Sequence, residues 1–241
     1  KNNILILTVQ PPGLLRKRLE RRKKDREEKL GLFYNYERVI PEEEELIFNK
    51  NINKVNIILC PETEDPEFKA ELNSLGSVVK KLNWATWPAV MPIKRGKETK
   101  NEFICMAGSD VLRKGVDYTI DLFSKLNYKL HLFHEDKALI RELLEKYKNP
   151  ENIIFHGVVD ICEKKFRDIA QKSKYFINFS VSEGCATAQL LCMKTGLVPI
   201  IDKDAGVLKY NCGLIIDLIG KSKLDNMKMI NDFVNNLSFD E

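Results

Sequence analysis

Short apolar runs alternate with amphipathic stretches along most of this chain. Ile4–Val9, Val55–Cys60 and Ser77–Leu82 read as strands in the first part. Phe103–Ala107, Lys129–Phe133, Ile153–His156, Tyr175–Phe179, Leu197–Ile201 and Gly213–Leu218 read as strands in the second. Between them lie helical patterns over Lys114–Lys125, Lys137–Lys148, Glu163–Lys172, Cys185–Lys194 and Leu224–Leu237. Near-continuous apolar runs separated by helices predict parallel strands buried on both faces and covered by helices, an α/β architecture. The clearest instance is Tyr175 to Asp202. A buried strand gives way to the polar hinge Ser182-Glu183-Gly184, then to a helix that Gly196 ends as a left-handed cap, then to a strand containing Pro199.

The first part is less regular. Pro11-Pro12-Gly13 predicts a turn, and Leu14–Leu30 (LLRKRLERRKKDREEKL) a helix dense in opposite charges with few apolar residues. That composition predicts a solvated helix or mobile arm. Its basic face is compatible with peripheral contact to an anionic membrane surface through 14–30. Pro41 and four glutamates open another helix that runs to about Asn53, and Pro66–Leu75 a short one. From Asn83 to Lys100 the pattern breaks down, with two Trp, two Pro and a charged tail. This predicts a partial domain over 1–92, a linker over 93–101 and a second domain over 102–241.

Composition adds limits. Of 241 residues, 44% are hydrophobic and 31% charged, with a net charge of +4 spread over both signs, so nucleic-acid binding is not demanded. The six cysteines form no CxxC pair and no metal-like spacing with the three histidines, which predicts reduced thiols and no metal site. The longest apolar runs are too short to span a bilayer. The first residue is Lys1, which suggests a fragment or processed piece.

Parallel α/β sheets bind ligands outside the carboxyl ends of their strands, so the loops there are the ones that could carry chemistry. Gly108-Ser109-Asp110-Val111-Leu112-Arg113-Lys114-Gly115 brings two cations to a helix entrance, suited to a phosphate or to a plain basic turn. His156-Gly157 ends a strand where glycine lets backbone approach a flat ligand; a histidine there more readily serves structure than catalysis. Asp202–Gly206 follows the Pro-containing strand and reads as a turn facing the same edge. Glu183 is the sharpest residue, because a carboxylate closing a buried strand seldom helps packing. Beside helix-terminal amides that would take phosphate, it suits reading hydroxyl groups. Cys185 lies at a helix N-terminus, but no histidine supports it as a nucleophile.

Several of these pieces together resemble a family. Residues 108–123, Asn152–Val159, and Ser182-Glu183-Gly184 through Met193, Gly196 and Pro199 are similar, in order and spacing, to the nucleotide-binding half of retaining GT-B glycosyltransferases of family four, the group 1 type. The resemblance implies two Rossmann-like parallel-sheet domains, of which the N-terminal one is incomplete here, since two such domains need on the order of 300 residues. It implies that Lys114, with Arg113, meets the diphosphate of a nucleotide sugar and that Glu183 binds sugar hydroxyls. Gly108 and Ser109 would line the donor, the backbone of Gly184, Cys185, Ala186 and Thr187 would face phosphate oxygens, and Gly157, Val158 and Val159 would hold the base. Catalytic work would thus fall to Glu183 and Lys114, with no metal and no cofactor beyond a UDP- or GDP-linked donor substrate. Partners would be that nucleotide sugar and a glycan, lipid-linked or protein acceptor, as in cytoplasmic polysaccharide or glycolipid biosynthesis, free or membrane-associated. Two positions depart from the family: Ser109 replaces its usual arginine and Leu191 its second glutamate. These departures make a non-catalytic nucleotide-sugar-binding subunit the alternative. A nucleotide-sugar epimerase would need clearer acid and base residues.

Overall fold

The computed structural model describes residues 3–7, 10–31, 40–61, 65–82, 87–96, 99–183, 186–205 and 213–237. They form two compact units. The first comprises residues 1–85 with the segments 181–186 and 204–209, and the second comprises 86–180, 187–203 and 210–241.

In the first unit, β1 (Ile4–Ile6), β2 (Ile57–Pro61) and β3 (Val78–Leu82) form a parallel three-stranded sheet in the order β1-β2-β3. Helices α1 (Pro12–Leu30), α2 (Glu42–Ile52) and α3 (Pro66–Ser74) accompany it. Because side chains alternate across a strand, Ile58 and Cys60 turn inward to meet Leu7, Leu14, Ile52, Phe68 and Leu72. Proline at the first turn starts α1, and Gly31, at φ 58°, ends it.

The expectation of a solvated or mobile α1 is corrected. Leu14, Leu15, Arg18, Arg22, Asp25 and Arg26 are all buried. Arg18 grips Asp65 with both terminal nitrogens at 2.7 Å, and its Nη2 also donates to Glu67 at 2.9 Å. Asp65 in turn caps α3, accepting from the backbone N–H of Glu67 at 3.0 Å and Phe68 at 3.1 Å. Hydrogen bonds from Arg21, joined by those from Arg18, hold the Glu67 carboxyl down to about 2. The exposed side of α1 carries Lys17, Glu20, Lys23, Lys24 and Glu28 and no apolar stripe.

The second unit is a six-stranded parallel sheet of β4 (Lys100–Met106), β5 (Leu130–Phe133), β6 (Ile153–Gly157), β7 (Ser173–Asn178), β8 (Val198–Asp202) and β9 (Leu214–Ile216). The strand order is β6-β5-β4-β7-β8-β9. Helices α4 (Val116–Phe123), α5 (Lys137–Lys146), α6 (Lys164–Lys172), α7 (Thr187–Lys194) and α8 (Lys223–Asn236) alternate with the strands, as the pattern predicted. One face packs Ile104, Phe133, Phe166, Ala170, Phe176, Leu191 and Cys192 together. On the other, Phe103 contacts Phe123 edge-on at 4.9 Å and stacks on Tyr175 at 4.8 Å. Residues 87–96, inside the stretch where the regular pattern lapses, pack onto this unit. Val90 enters the core, and Arg95 donates to the carbonyls of Ser173 at 3.1 Å and Thr195 at 2.8 Å.

Strand order reverses between β4 and β7, so the loops after these two strands diverge from a common point. Gly115 joins them. It caps α4 at φ 65°, and a Cβ on it would press into the carbonyl oxygen of Phe179. Both features demand glycine. The Ser180 hydroxyl adds a hydrogen bond to the Arg113 carbonyl at 3.3 Å.

His156 serves structure. With Glu102 an ionised acceptor, the neutral arrangement runs one way: His156 Nε2 donates to His131 Nδ1 at 2.9 Å, and His131 Nε2 donates to Glu102 at 3.0 Å. Phe133 stacks on the His156 ring at 4.8 Å. Burial first, then the neighbouring His131 and Lys165, pushes His156 down to about 4 from an ordinary 6.5.

Two predictions follow from this packing. Gly115→Ala destabilises the second unit by about 2–3 kcal/mol, whereas Gly108→Ala, whose Cβ meets no described atom within 4 Å, leaves the urea midpoint unchanged. Equal midpoints for the two variants would contradict the close approach at Phe179. The second concerns acid. A histidine whose folded value is depressed binds fewer protons than it does unfolded, so stability is intact above about pH 6.5 and declines as pH falls toward about 4. Glu102, also depressed, adds loss in the same direction at still lower pH. His156→Phe keeps the stack on Phe133 and flattens the decline of the urea midpoint between pH 6.5 and 4; an unchanged slope would refute the assignment.

Candidate functional site

At the carboxyl end of β4 the chain passes through Gly108 and Ser109, both exposed, into a tight turn. Asp110 adopts φ 65° and accepts from Arg113 twice, from its backbone N–H at 3.1 Å and from its Nε at 3.0 Å. The turn closes with the Lys114 N–H donating to the Asp110 carbonyl at 3.0 Å. Arg113 is therefore held against a carboxylate, and Lys114 sits half-buried one residue before the N-terminus of α4. That placement puts a cation beside the positive end of a helix, a setting that favours a phosphate group without metal.

The ends of β5 and β6 lie alongside. The His134 N–H donates to the Gly157 carbonyl at 3.1 Å, and the Glu135 N–H donates to the Gly108 carbonyl at 3.3 Å. Three strand ends are thus laced together by backbone. Gly157 takes φ 75°, where glycine is favoured, and is followed by Val158, exposed at 70%, and Val159, which packs against the core. An exposed valine beside bare backbone is a flat apolar surface of the kind a planar base can cover.

Of the residues singled out from sequence, Gly108, Ser109, Arg113, Lys114, Gly157, Val158 and Val159 gather at these strand ends, and Thr187 opens α7 in the same unit. Glu183 and Ala186 belong to the segment grouped with the first unit; Glu183 is 9% exposed and Ala186 is buried. Gly184 and Cys185 lie outside the described residues. Leu191 packs among Ile104, Phe133 and Phe176, as a leucine in place of a carboxylate should. Asp202 accepts from the Leu218 N–H at 3.0 Å, and the turn after it is a short 3-10 helix, Lys203–Ala205. Asp204 of that turn, which groups with the first unit, accepts from Arg18 and Arg21.

Two buried polar side chains received no role from the sequence. Gln189 in α7 is fully buried with neither amide atom paired among the described residues, and nothing in the structure explains it. His134, 1% exposed, accepts from the Asp136 N–H at Nδ1 and leaves Nε2 buried with no partner among the described residues. A histidine directly after an apolar strand was the available signal.

Among the described residues no cluster of His, Cys, Asp and Glu could hold a metal ion. Cys60, Cys105 and Cys192 are buried free thiols and Cys162 an exposed one; burial pushes the Cys105 thiol up to about 12. No described helix is long and apolar enough to cross a membrane. A groove of about 390 Å³ along β9 and α8, lined by Leu214, Met229, Phe233 and Leu237 with Asp232 and Asn236, offers no cation and is not the candidate.

No curated protein matches the chain in sequence. Solved structures do match its fold. TarM superposes with a TM-score of 0.62 at 16% identity, over 98% of this chain and 44% of its own. WaaG, a glycosyltransferase involved in lipopolysaccharide biosynthesis, gives 0.61 at 16%, over 80% of this chain and 58% of its own. The pneumococcal O-GlcNAc transferase GtfA, in complex with UDP and GlcNAc, gives 0.58 at 13%, over 84% and 43%. The chain spans about half the length of these structures. The shared fold is GT-B, an α/β architecture of two parallel-sheet units, with three strands in the first sheet here and six in the second. Residues 91–237 match the family described as glycosyl transferases, group 1, and since that match takes in more than half of the sequence, the chain belongs to this family.

Proposed function

We propose that the chain is the donor-binding part of a glycosyltransferase that takes a sugar from a UDP- or GDP-linked donor, with retention, and passes it to a glycan, lipid-linked or protein acceptor. The observation that carries the reading is the strand-end arrangement in which Gly115 lets the loop bearing Arg113 and Lys114 close on the end of β7. In glycosyl transfer the bond from the anomeric carbon to the diphosphate breaks, and its electron pair leaves with the nucleotide. The acceptor hydroxyl oxygen forms the new bond to that carbon and releases its proton. Negative charge therefore grows on the diphosphate, where Lys114 and helix-terminal amides stabilise it without a metal. Val158 and the backbone of Gly157 hold the base. Glu183 orients the sugar by accepting from its hydroxyls, and the backbone of Gly184–Thr187 meets phosphate oxygens. Membrane association and a role in polysaccharide or glycolipid synthesis are extensions of the same reading.

A second reading is a nucleotide-sugar-binding subunit without activity. Leu191 turned into the apolar core and Arg113 held by Asp110 favour it, because both remove polar contacts to the donor. Binding without turnover on any acceptor would select it.

Glu183→Ala tests the first reading by calorimetric titration. Loss of hydroxyl contacts to a carboxylate weakens a UDP- or GDP-sugar on the order of tenfold more than the bare nucleotide. Equal loss for both would contradict the role given to Glu183.

A further inference from the structure

His134 is a histidine placed where three strand ends meet, and the bonds around it fix its state. Its backbone N–H donates to the Gly157 carbonyl, and the next residue's N–H donates to the Gly108 carbonyl. The Asp136 N–H donates to its Nδ1 at 2.9 Å. A nitrogen that accepts carries no hydrogen, so the neutral ring has its hydrogen on Nε2. Burial dominates the ring's environment and favours the neutral form, against the opposing fields of Asp136, Glu135 and Asp110. The side chain is 1% exposed, and Nε2 has no partner among the described residues. A buried donor left unpaired costs free energy that an oxygen acceptor would recover. The backbone beside it is bare. A Cβ at Gly108 would meet no described atom within 4 Å, and one at Gly157 would meet only the end of the Lys137 side chain at 3.7 Å.

We propose that the Nε2–H of His134 donates to an oxygen of the nucleotide moiety of the bound donor, making His134 a positioning residue for a nucleoside diphosphate. The inference rests on the donor-site reading above. It gives the β5 end a polar contact that nothing in the bare-backbone description of Gly108 and Gly157 supplies. The turn bond to Asp136 fixes the tautomer, because a nitrogen that accepts that N–H leaves the ring hydrogen on Nε2.

The test uses the full chain with UDP and with GDP. Asparagine can accept from the Asp136 N–H but has no group at the Nε2 position; glutamine places an amide N–H near Nε2 and gives up the turn bond. His134→Asn is expected to weaken whichever nucleotide the unaltered chain binds by about tenfold, and His134→Gln to restore binding to within about threefold. In parallel, nitrogen NMR of the imidazoles, simplified by there being three histidines, shows the Nε2–H tautomer for His134 in the free chain. On saturation with nucleotide its Nε2 resonance shifts and its proton exchanges more slowly with water. An unmoved Nε2 resonance at saturation overturns the proposal even if the variants fail to fold. So does a folded His134→Asn chain that binds as tightly as the unaltered one. Failure of the unaltered chain to bind either nucleotide overturns the donor-site reading itself, and this inference with it.

Discussion

The close approach of Gly115 to the carbonyl of Phe179 is the constraint on which the second unit's functional edge depends. Strand order reverses between β4 and β7, so the chain leaving β4 and the chain leaving β7 part in opposite directions and open a crevice. A side chain at 115 would hold them apart, and only glycine combines the left-handed φ with the missing Cβ. Once that contact forms, Arg113 and Lys114 are carried to the start of α4, and Ser180 can bond to the Arg113 carbonyl. The loop's own turn is closed by Asp110, at positive φ, accepting twice from Arg113. Placement of the cations is thus a consequence of backbone packing, with Asp110 holding the Arg113 side chain within the turn.

Electrostatic burial is managed differently in the two units. In the first, Arg18 enters the interior only because Asp65 and Glu67 meet it with matched geometry, and Asp65 serves at the same time as the cap of α3. Removing either partner would leave a buried charge uncompensated, so the helix, the cap and the pair stand together. In the second, the three histidines on and beside β5 and β6 are kept neutral. His156 and His131 pass one hydrogen along to Glu102, and His134 is committed through Asp136 to a single tautomer. The first pattern stabilises a fold, whereas the second leaves a defined donor at a strand end.

Much of this was legible in the sequence for physical reasons. Runs such as Phe103–Ala107 and Tyr175–Phe179 have no polar face, which only a doubly covered strand tolerates, and Asp136 marks the start of α5 between them as its cap. Gly108, Lys114 and Gly157 could be placed because strand–helix alternation fixes which loops share an edge. Leu191 could be read as packing because a leucine has no other use on that helix. Burial of Arg18 was not legible, since its partners Asp65 and Glu67 lie more than forty residues away and the local composition reads as a solvated helix. Nor was His134 legible as special. Its state follows from bonds to Gly157 and Asp136, and from burial that only the assembled strand ends create.

The central claim is that a nucleotide sugar binds at the carboxyl ends of β4, β5, β6 and β7. Backbone hydrogen exchange with UDP-glucose, and separately with GDP-mannose, tests it most directly. The account predicts that a bound donor slows exchange over 108–116, 134–137, 157–160 and 180–187 and leaves the groove between β9 and α8 unchanged. Protection centred on that groove, with the strand-end loops unaffected, would contradict it.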